Sequence, residues 1–232
     1  MIKVFYFEGR GRAETTRWML AANNLQFENA TISSAAEMEA LRASGKLPFD
    51  QLPLLEIDGL TVSQTSALIR YLARRGDFYG DNAVDALWCD MIAGVAADLV
   101  EPAIGAAFQP TRASAVGALC QRIDKFCPRL ERHLADNDGE FIAAKRLTFA
   151  DIVLGEALTA HIELQPECLA AYPLLAKLQR SVVCHPGIAA YLASPQRWPI
   201  ADETYVLSVA AVLERALPAH MGNPNRFVRV SP

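Results

Sequence analysis

The stretch that decides the fold is YFEGRGRAE, residues 6–14. It joins an apolar run at 3–7, which predicts a strand, to a helical pattern over 13–22. Two glycines between them indicate a turn, and a helix start places free N–H groups and partial positive charge beside Tyr6 and Arg12. The stretch therefore predicts an anion-binding turn with a directed phenol donor. Tyr6 taken alone is equally compatible with an ordinary strand aromatic.

Two further runs in the first third of the chain carry polar groups at strand or helix starts. In LPFDQLPLL, residues 47–55, Pro53 directly precedes an apolar strand. A cis proline there would free the preceding backbone for pairing with a peptide. In SQTS, residues 63–66, an amide and hydroxyls meet a helix start, which suits a carboxylate. In isolation, a plain loop proline and simple helix capping explain these runs as well.

The order of predicted elements changes near residue 80. The first part alternates strand and helix as βαβ-α-ββα, which predicts a small mixed sheet with helices against it. Its predicted strands are 3–7, 27–32, 54–57 and 60–62, and its predicted helices are 13–22, 35–42 and 66–74. The remainder is helical, with predicted helices at 83–107, 113–136, 150–164, 173–183, 187–193 and 203–217. Thr148 and Asp151 form a capping box before the third of these.

Composition excludes several functional classes. The 232 residues are 52% hydrophobic with a formal net charge of -4, so nucleic acid and acidic membranes are not favoured partners. The N-terminus predicts no secretory signal, and charged residues and Pro102 interrupt the apolar run 91–108, which argues against a membrane span. Five scattered cysteines without a CxxC pair indicate free thiols in a reducing cytosol and no metal site.

Taken together, these runs resemble the cytosolic glutathione transferases, most closely the alpha class and next the sigma class. The likeness is strongest over 6–27 and 48–72, and it continues more weakly through 86–101, 126–134 and 147–154. It implies an α+β thioredoxin-like domain at 1–79 followed by an all-α domain at 83–232. It also implies glutathione as co-substrate, a cytoplasmic homodimer, no metal, and conjugation of small hydrophobic electrophiles in detoxification.

The resemblance assigns roles to individual positions. Tyr6 matches the catalytic tyrosine, and Arg12 matches an arginine near the glutathione sulfur. Residues implied to hold glutathione are Phe7, Arg42 at the glycyl carboxylate, Gln51 and Leu52 with Pro53 at the cysteinyl backbone, and Gln64 and Thr65 at the γ-glutamyl carboxylate. Asp98 and Lys125 match residues that reach across a dimer, although Lys125 replaces an arginine and loses its planar fork. Residues implied to line the electrophile site are Phe7, Glu8, Gly9, Ile104, Phe108 and the C-terminal helix.

Several functions remain open on the sequence alone. Glutathione conjugation is the first hypothesis, and a glutathione-dependent isomerase or peroxidase of the same fold is a variant of it. A non-catalytic binding or structural protein of this fold is the second, which the intact set of site residues disfavours. A glutaredoxin-type oxidoreductase is disfavoured because the first 80 residues contain no cysteine. The C-terminal stretch 218–232 is predicted to lie on the surface or to be loose.

Overall fold

The computed structural model describes residues 1–217 and His220, so the predicted surface tail 218–232 lies almost wholly outside the described residues. The first part of the chain forms a four-stranded sheet from β1 (Ile2–Tyr6), β2 (Phe27–Thr31), β3 (Leu54–Ile57) and β4 (Leu60–Ser63). The strands lie in the order β2-β1-β3-β4. Strand β1 pairs parallel to β2 and antiparallel to β3, which in turn pairs antiparallel to β4. The helices of this part are α1 Glu14–Ala22, α2 Ala35–Ala43 and α3 Thr65–Arg75.

The rest of the described chain is helical, as predicted. Its α-helices are α4 Ala83–Gly105, α5 Arg112–Asp136, α6 Phe149–Leu164, α7 Pro173–Val183, α8 Pro186–Leu192 and α9 Glu203–Val212. Short 3₁₀ turns lie at Gly11–Ala13, Ala106–Phe108 and Pro166–Leu169, and the last of these was not predicted. The change from sheet to helices falls between α3 and α4, while the domain limits 1–79 and 83–232 stay a prediction.

The capping box before α6 is confirmed and fixes a buried loop. The Asp151 carboxylate accepts hydrogen bonds from the backbone N–H and the hydroxyl of Thr148 at 2.8 and 2.7 Å. It also accepts one from the backbone N–H of Ile142 at 2.8 Å. All three residues are fully buried. Because each donor would otherwise be left unsatisfied inside the core, this carboxylate holds the start of α6 and the loop before it together.

Helix α1 lies between the two parts of the chain and joins them through polar contacts. Its Glu14 is buried and accepts hydrogen bonds from Trp18 Nε1 at 3.2 Å and from the Tyr191 hydroxyl of α8 at 2.9 Å. Just before the helix, Arg10 forms an ion pair with Glu163 of α6. The turn that follows β1 is therefore held in place by the helical part of the chain as well as by the sheet.

Helix α4 is the central helix of the second part. The segment 83–108 is the one described stretch with the length and hydropathy to cross a membrane, by those two criteria alone. Its Cys89, Ile92 and Leu99 are buried in the common core, and the His161 side chain of α6 donates to the Leu99 carbonyl at 2.6 Å. This is the packing of a core helix.

Candidate active site

A cleft of about 640 Å³ lies between the sheet part and helices α4 and α6. The predicted residues that line it are Phe7, Arg12, Gln51, Leu52, Pro53, Gln64, Thr65 and Ile104. They come from the end of β1, the turn after it, the loop before β3, the start of α3 and the end of α4. The fold thus gathers the three polar runs of the sequence around one cavity.

The Tyr6 phenol sits at the end of β1, beside the turn that follows it. Its ring is buried, and its hydroxyl oxygen accepts a hydrogen bond from the backbone N–H of Arg12 at 3.0 Å. Burial, together with the nearby Tyr6 phenol, raises the pKa of Tyr205 of α9. The bond from Arg12 uses the oxygen as an acceptor, so the O–H of Tyr6 remains available as a donor to an anion.

Two glycines in the turn make room for the two tyrosines. A Cβ on Gly11 would lie 2.6 Å from Tyr6 Cε1, and Gly11 has a φ of +42°. A Cβ on Gly9 would lie 2.5 Å from Tyr205 Cδ2. The glycines of the decisive stretch therefore let the backbone approach both phenols closely, a role that sequence patterns alone did not specify.

Arg12 enters the cleft with a partner from the helical part. Its Nη2 donates to Glu101 Oε1 of α4 at 2.7 Å, and both side chains are about half exposed. Its carbonyl accepts a hydrogen bond from the Thr65 hydroxyl at 3.3 Å, which ties the turn to the start of α3. The Arg12–Glu101 pair therefore links the turn after β1 to α4.

The loop before β3 and the start of α3 form the opposite wall. The Leu52–Pro53 peptide bond is cis, as expected. Gln64 Nε2 donates to Gln51 Oε1 at 2.6 Å, so the two glutamine side chains lie together. Gln64 has a φ of +72°, a region that non-glycine residues rarely adopt and that often marks a functional position.

Four predicted catalytic or glutathione-binding residues do not line the cleft: Tyr6, whose hydroxyl bonds to the backbone of the lining residue Arg12, and Arg42, Asp98 and Lys125. Arg42 does not line it, because its Nε donates to Asp50 Oδ1 at 2.6 Å and Asp50 lines the rim instead. Asp98 is exposed on α4, outside the cleft, with no hydrogen bond or ion pair to the described residues. Lys125 is exposed on α5, where its ammonium lies 4.6 Å from the centre of the Phe126 ring.

The predicted electrophile residues divide into two groups. Phe7 and Ile104 line the cleft, whereas Glu8 and Gly9 line a separate cavity of about 240 Å³ formed with the 198–208 segment. Tyr205 also lines this second cavity, and its ring packs closely against Gly9. Phe108 touches that ring, with centroids 6.1 Å apart. The structure therefore does not bring all the predicted electrophile residues into one cavity, and their role stays a prediction.

The C-terminal segment ends differently from the prediction. Helix α9 ends at Val212 and does not run to Leu217, because Glu214 has a φ of +50° and reverses the chain. The backbone N–H of Arg215 then donates to the Ala210 carbonyl at 3.0 Å. Val212 is buried with residues of β3 and α2, while the reversed chain brings Leu213 and Arg215 to the lining of the cleft.

A buried carboxyl group that sequence reasoning did not single out lies at the floor of the cleft. Glu156 of α6 is fully buried and accepts a hydrogen bond from the Thr15 hydroxyl at 3.1 Å. Burial raises the pKa of Glu156 to about 8, and the nearby Glu14 carboxylate adds to this effect. The group therefore stays protonated at neutral pH and adds no net charge to the cleft.

Sequence reasoning also passed over Tyr205, Glu101 and Arg215 as site residues. Tyr205 and Arg215 fall in the predicted C-terminal helix, which was expected to lie at the electrophile site. The sequence therefore predicted the segment that carries them, but not which of its residues face the site. Glu101 was noted for its charge in an apolar helix. Among the residues that the structure describes, no three His, Cys, Asp or Glu side chains are grouped to hold a metal ion.

The sheet topology, the phenol above the turn and the polar start of α3 define a class: proteins with a thioredoxin-like glutathione-binding domain followed by a helical domain. The family description "Glutathione S-transferase, N-terminal domain" matches residues 2–74, and "Glutathione S-transferase, C-terminal domain" matches residues 97–195. The chain belongs to the glutathione S-transferase family, which confirms the resemblance.

Relatives of known name agree over most of the chain. Glutathione S-transferase alpha-4 of Rattus norvegicus is 35% identical over 216 residues, covering 91% of this chain and 97% of the relative. Glutathione S-transferase 3 of Gallus gallus is 33% identical and covers 90% of this chain and 93% of the relative. The solved glutathione S-transferase of Ascaris lumbricoides has a TM-score of 0.71 and 28% identity, covering 83% of this chain and 96% of that one. The relatives support the predicted alpha-class likeness.

Proposed function

We propose that this glutathione transferase joins the thiolate of glutathione to small hydrophobic electrophiles, and that the phenol of Tyr6 stabilises that thiolate. The position of Tyr6 carries the proposal. Its oxygen accepts a hydrogen bond from the Arg12 backbone N–H, and its ring is buried beside the turn that leads into α1. The phenol is thus a hydrogen-bond donor held beside Phe7 and Arg12, and these two residues line a cleft large enough for a tripeptide and a second substrate.

The energetics set the size of the expected effect. A free thiol has a pKa of about 8.5, so only a few per cent is ionised at neutral pH. One hydrogen bond to a charged group contributes roughly 1.5–3 kcal/mol, and about 1.36 kcal/mol corresponds to one pKa unit. The Tyr6 hydroxyl can therefore lower the thiol pKa of bound glutathione by about one to two units. The charge of Arg12 and the nearby helix start act in the same direction.

Binding of glutathione follows from the rest of the cleft wall. The start of α3, with Gln64 and Thr65, offers backbone N–H groups and polar side chains to the γ-glutamyl carboxylate. The backbone of Leu52 is placed to pair with the cysteinyl residue. Phe7, Ile104 and Leu213 supply apolar surface beside the sulfur for the electrophile. Holding both substrates in one cleft turns a bimolecular step into a local one.

The test is Tyr6→Phe, with Tyr71→Phe as the matched control. Both changes remove one phenol hydroxyl. The hydroxyl of Tyr71 donates to Asp58, and neither of these two residues lines the cleft. We expect Tyr6→Phe to raise the thiol pKa of bound glutathione by about one to two units, measured from thiolate absorbance, and to lower kcat at pH 7 by about 8- to 25-fold, in proportion to the ionised fraction of the thiol. Glutathione affinity should change little. An unchanged thiol pKa in Tyr6→Phe would refute the role of Tyr6.

The range of electrophiles is tested separately. Wild-type turnover on aryl halides, enals, hydroperoxides and isomerisable substrates separates conjugation from peroxidase or isomerase activity. Retention on immobilised glutathione without turnover of any of these substrates would favour a binding protein of this family over an enzyme. We place the activity in the cytoplasm, with detoxification of electrophiles as its role.

A homodimer is proposed from one face of α4. Val84, Leu87 and Met91 are exposed at 63, 59 and 49%, and their spacing puts them on one helix face. Asp98 lies seven residues beyond Met91 and continues that face, in keeping with a reach towards a neighbour's glutathione. We expect Leu87→Glu to yield monomers in sedimentation analysis. Leu207→Glu, a change at a leucine on α9 that is 45% exposed, should leave the assembly intact.

A further inference from the structure

The cleft contains one cation that no carboxylate neutralises within the described part of the chain. The arginines that line the cleft are Arg12, Arg70 and Arg215. Arg12 is paired with Glu101 at 2.7 Å, and Arg70 is paired with Asp90 at 2.8 Å. The Arg215 side chain forms no hydrogen bond or ion pair with residues 1–217 or His220, so its guanidinium is available to a ligand.

The position of Arg215 in the cleft follows from how α9 ends. Val212 is 1% exposed and packs with Met38 of α2 and Leu54 of β3. Three residues later, Arg215 reaches the lining of the cleft, which also includes Met38 and Asp50. The buried anchor at Val212 therefore fixes the backbone that carries this arginine.

The wall of the cleft gives bound glutathione a direction. The γ-glutamyl end belongs at the start of α3 and the cysteinyl residue at Leu52, so the glycyl end points along the loop towards Asp50 and α2. Asp50 presents a carboxylate at this end, and Arg42 is drawn to it from outside the cleft. A glycyl carboxylate arriving here needs a cation that faces the cavity.

We propose that Arg215 binds the glycyl carboxylate of glutathione. This inference rests on the proposed function and adds a residue from the C-terminal segment to the glutathione site. A carboxylate carried by the electrophile is the other source of the same chemistry, and the experiment separates the two.

The experiment measures binding without turnover. Calorimetry compares the binding of glutathione with that of its glycine amide, which lacks the glycyl carboxylate. The proteins are wild type, Arg215→Ala and Arg215→Lys. The control is Arg180→Ala, a change at an exposed arginine on α7. We expect wild type to prefer glutathione by about three- to tenfold, the range between an exposed ion pair and a charge-assisted hydrogen bond. Arg215→Ala should bind both ligands equally, Arg215→Lys should retain part of the preference, and Arg180→Ala should match wild type. The preference should shrink as salt is raised.

Three results would overturn the inference. In the first, Arg215→Ala keeps the wild-type preference for glutathione over the amide. In the second, Arg215→Ala weakens both ligands equally, which indicates a general structural effect. In the third, Arg215→Ala leaves glutathione binding unchanged but loses turnover of 4-chloro-3-nitrobenzoate relative to the corresponding benzamide, which assigns the arginine to the electrophile. If wild type binds no glutathione at all, the proposed function itself fails, so the two failures are distinguishable.

Discussion

Substitution of Gly11 by alanine tests whether the turn positions Tyr6. The added methyl would lie 2.6 Å from Tyr6 Cε1 and 2.8 Å from Cζ, well inside contact distance, and the residue has a φ of +42°. The left-handed backbone alone costs roughly 1–2 kcal/mol for an L-residue. Gly59→Ala is the matched control, since Gly59 has a φ of +77° but open space around its Cβ. Both variants carry the backbone cost, and only Gly11→Ala carries the overlap.

The overlap can be relieved in two ways, and both are measurable. If Tyr6 stays in place, overpacking adds roughly 1–3 kcal/mol of destabilisation beyond the control. If Tyr6 moves, its hydroxyl leaves the Arg12 N–H, and kcat falls towards the value of Tyr6→Phe. We expect urea unfolding to show Gly11→Ala less stable than Gly59→Ala, with turnover reduced in Gly11→Ala only. Equal stability losses together with wild-type turnover in Gly11→Ala would refute the reasoning.

Three further predictions concern the core. The pKa of Glu156 is about 8 in the folded protein and 4.5 for an ordinary glutamate. Between these two pH values the folded state holds a proton that the unfolded state has lost, so the free energy of unfolding falls as pH rises from 4.5 to about 8. Glu156→Gln should remove that fall, and identical pH dependence of urea unfolding in both proteins would contradict the assignment. Asp151→Ala should cost about 2–4 kcal/mol because it strands three buried donors, whereas a loss below 1 kcal/mol by calorimetry would argue against this account. Gly187→Ala should lower Tm, since its methyl would meet the Ala21 backbone, while Gly117→Ala, with open space in α5, should raise stability by about 0.5–1 kcal/mol.

The elements of the first domain could be predicted to within a residue or two. Its strands and helices follow from apolar periodicity and turn residues that lie close together in sequence, and these local signals agree with the final fold. The capping box at Thr148 is a signal of the same kind. The cis bond before Pro53 and the meeting of Gln51 with Gln64 also follow once the three polar runs are assigned to one sheet edge.

The parts that could not be predicted depend on contacts between distant parts of the chain. The apolar pattern of α9 continues past Val212, so nothing local ends the helix there. Its end is set by the packing of Val212 on α2 and β3, and Glu214 adopts a backbone conformation that its residue type does not favour. The contact of Tyr205 with Tyr6 and the pairing of Arg12 with Glu101 join the two ends of the site across the fold, and short sequence patterns carry no signal for them.

The polar contacts of α1 with the helical part have a consequence for evolution and engineering. Glu14 bonds Tyr191, Thr15 bonds Glu156, and Arg10 pairs with Glu163, so each contact has one partner in either half. Separating the halves would leave carboxylates without the donors that compensate their burial. The two halves should therefore melt in one cooperative transition. In a chimera that combines this first half with the helical half of a relative, we expect a working glutathione site only if the relative's helical half carries residues that can replace Tyr191, Glu156 and Glu163 in these contacts.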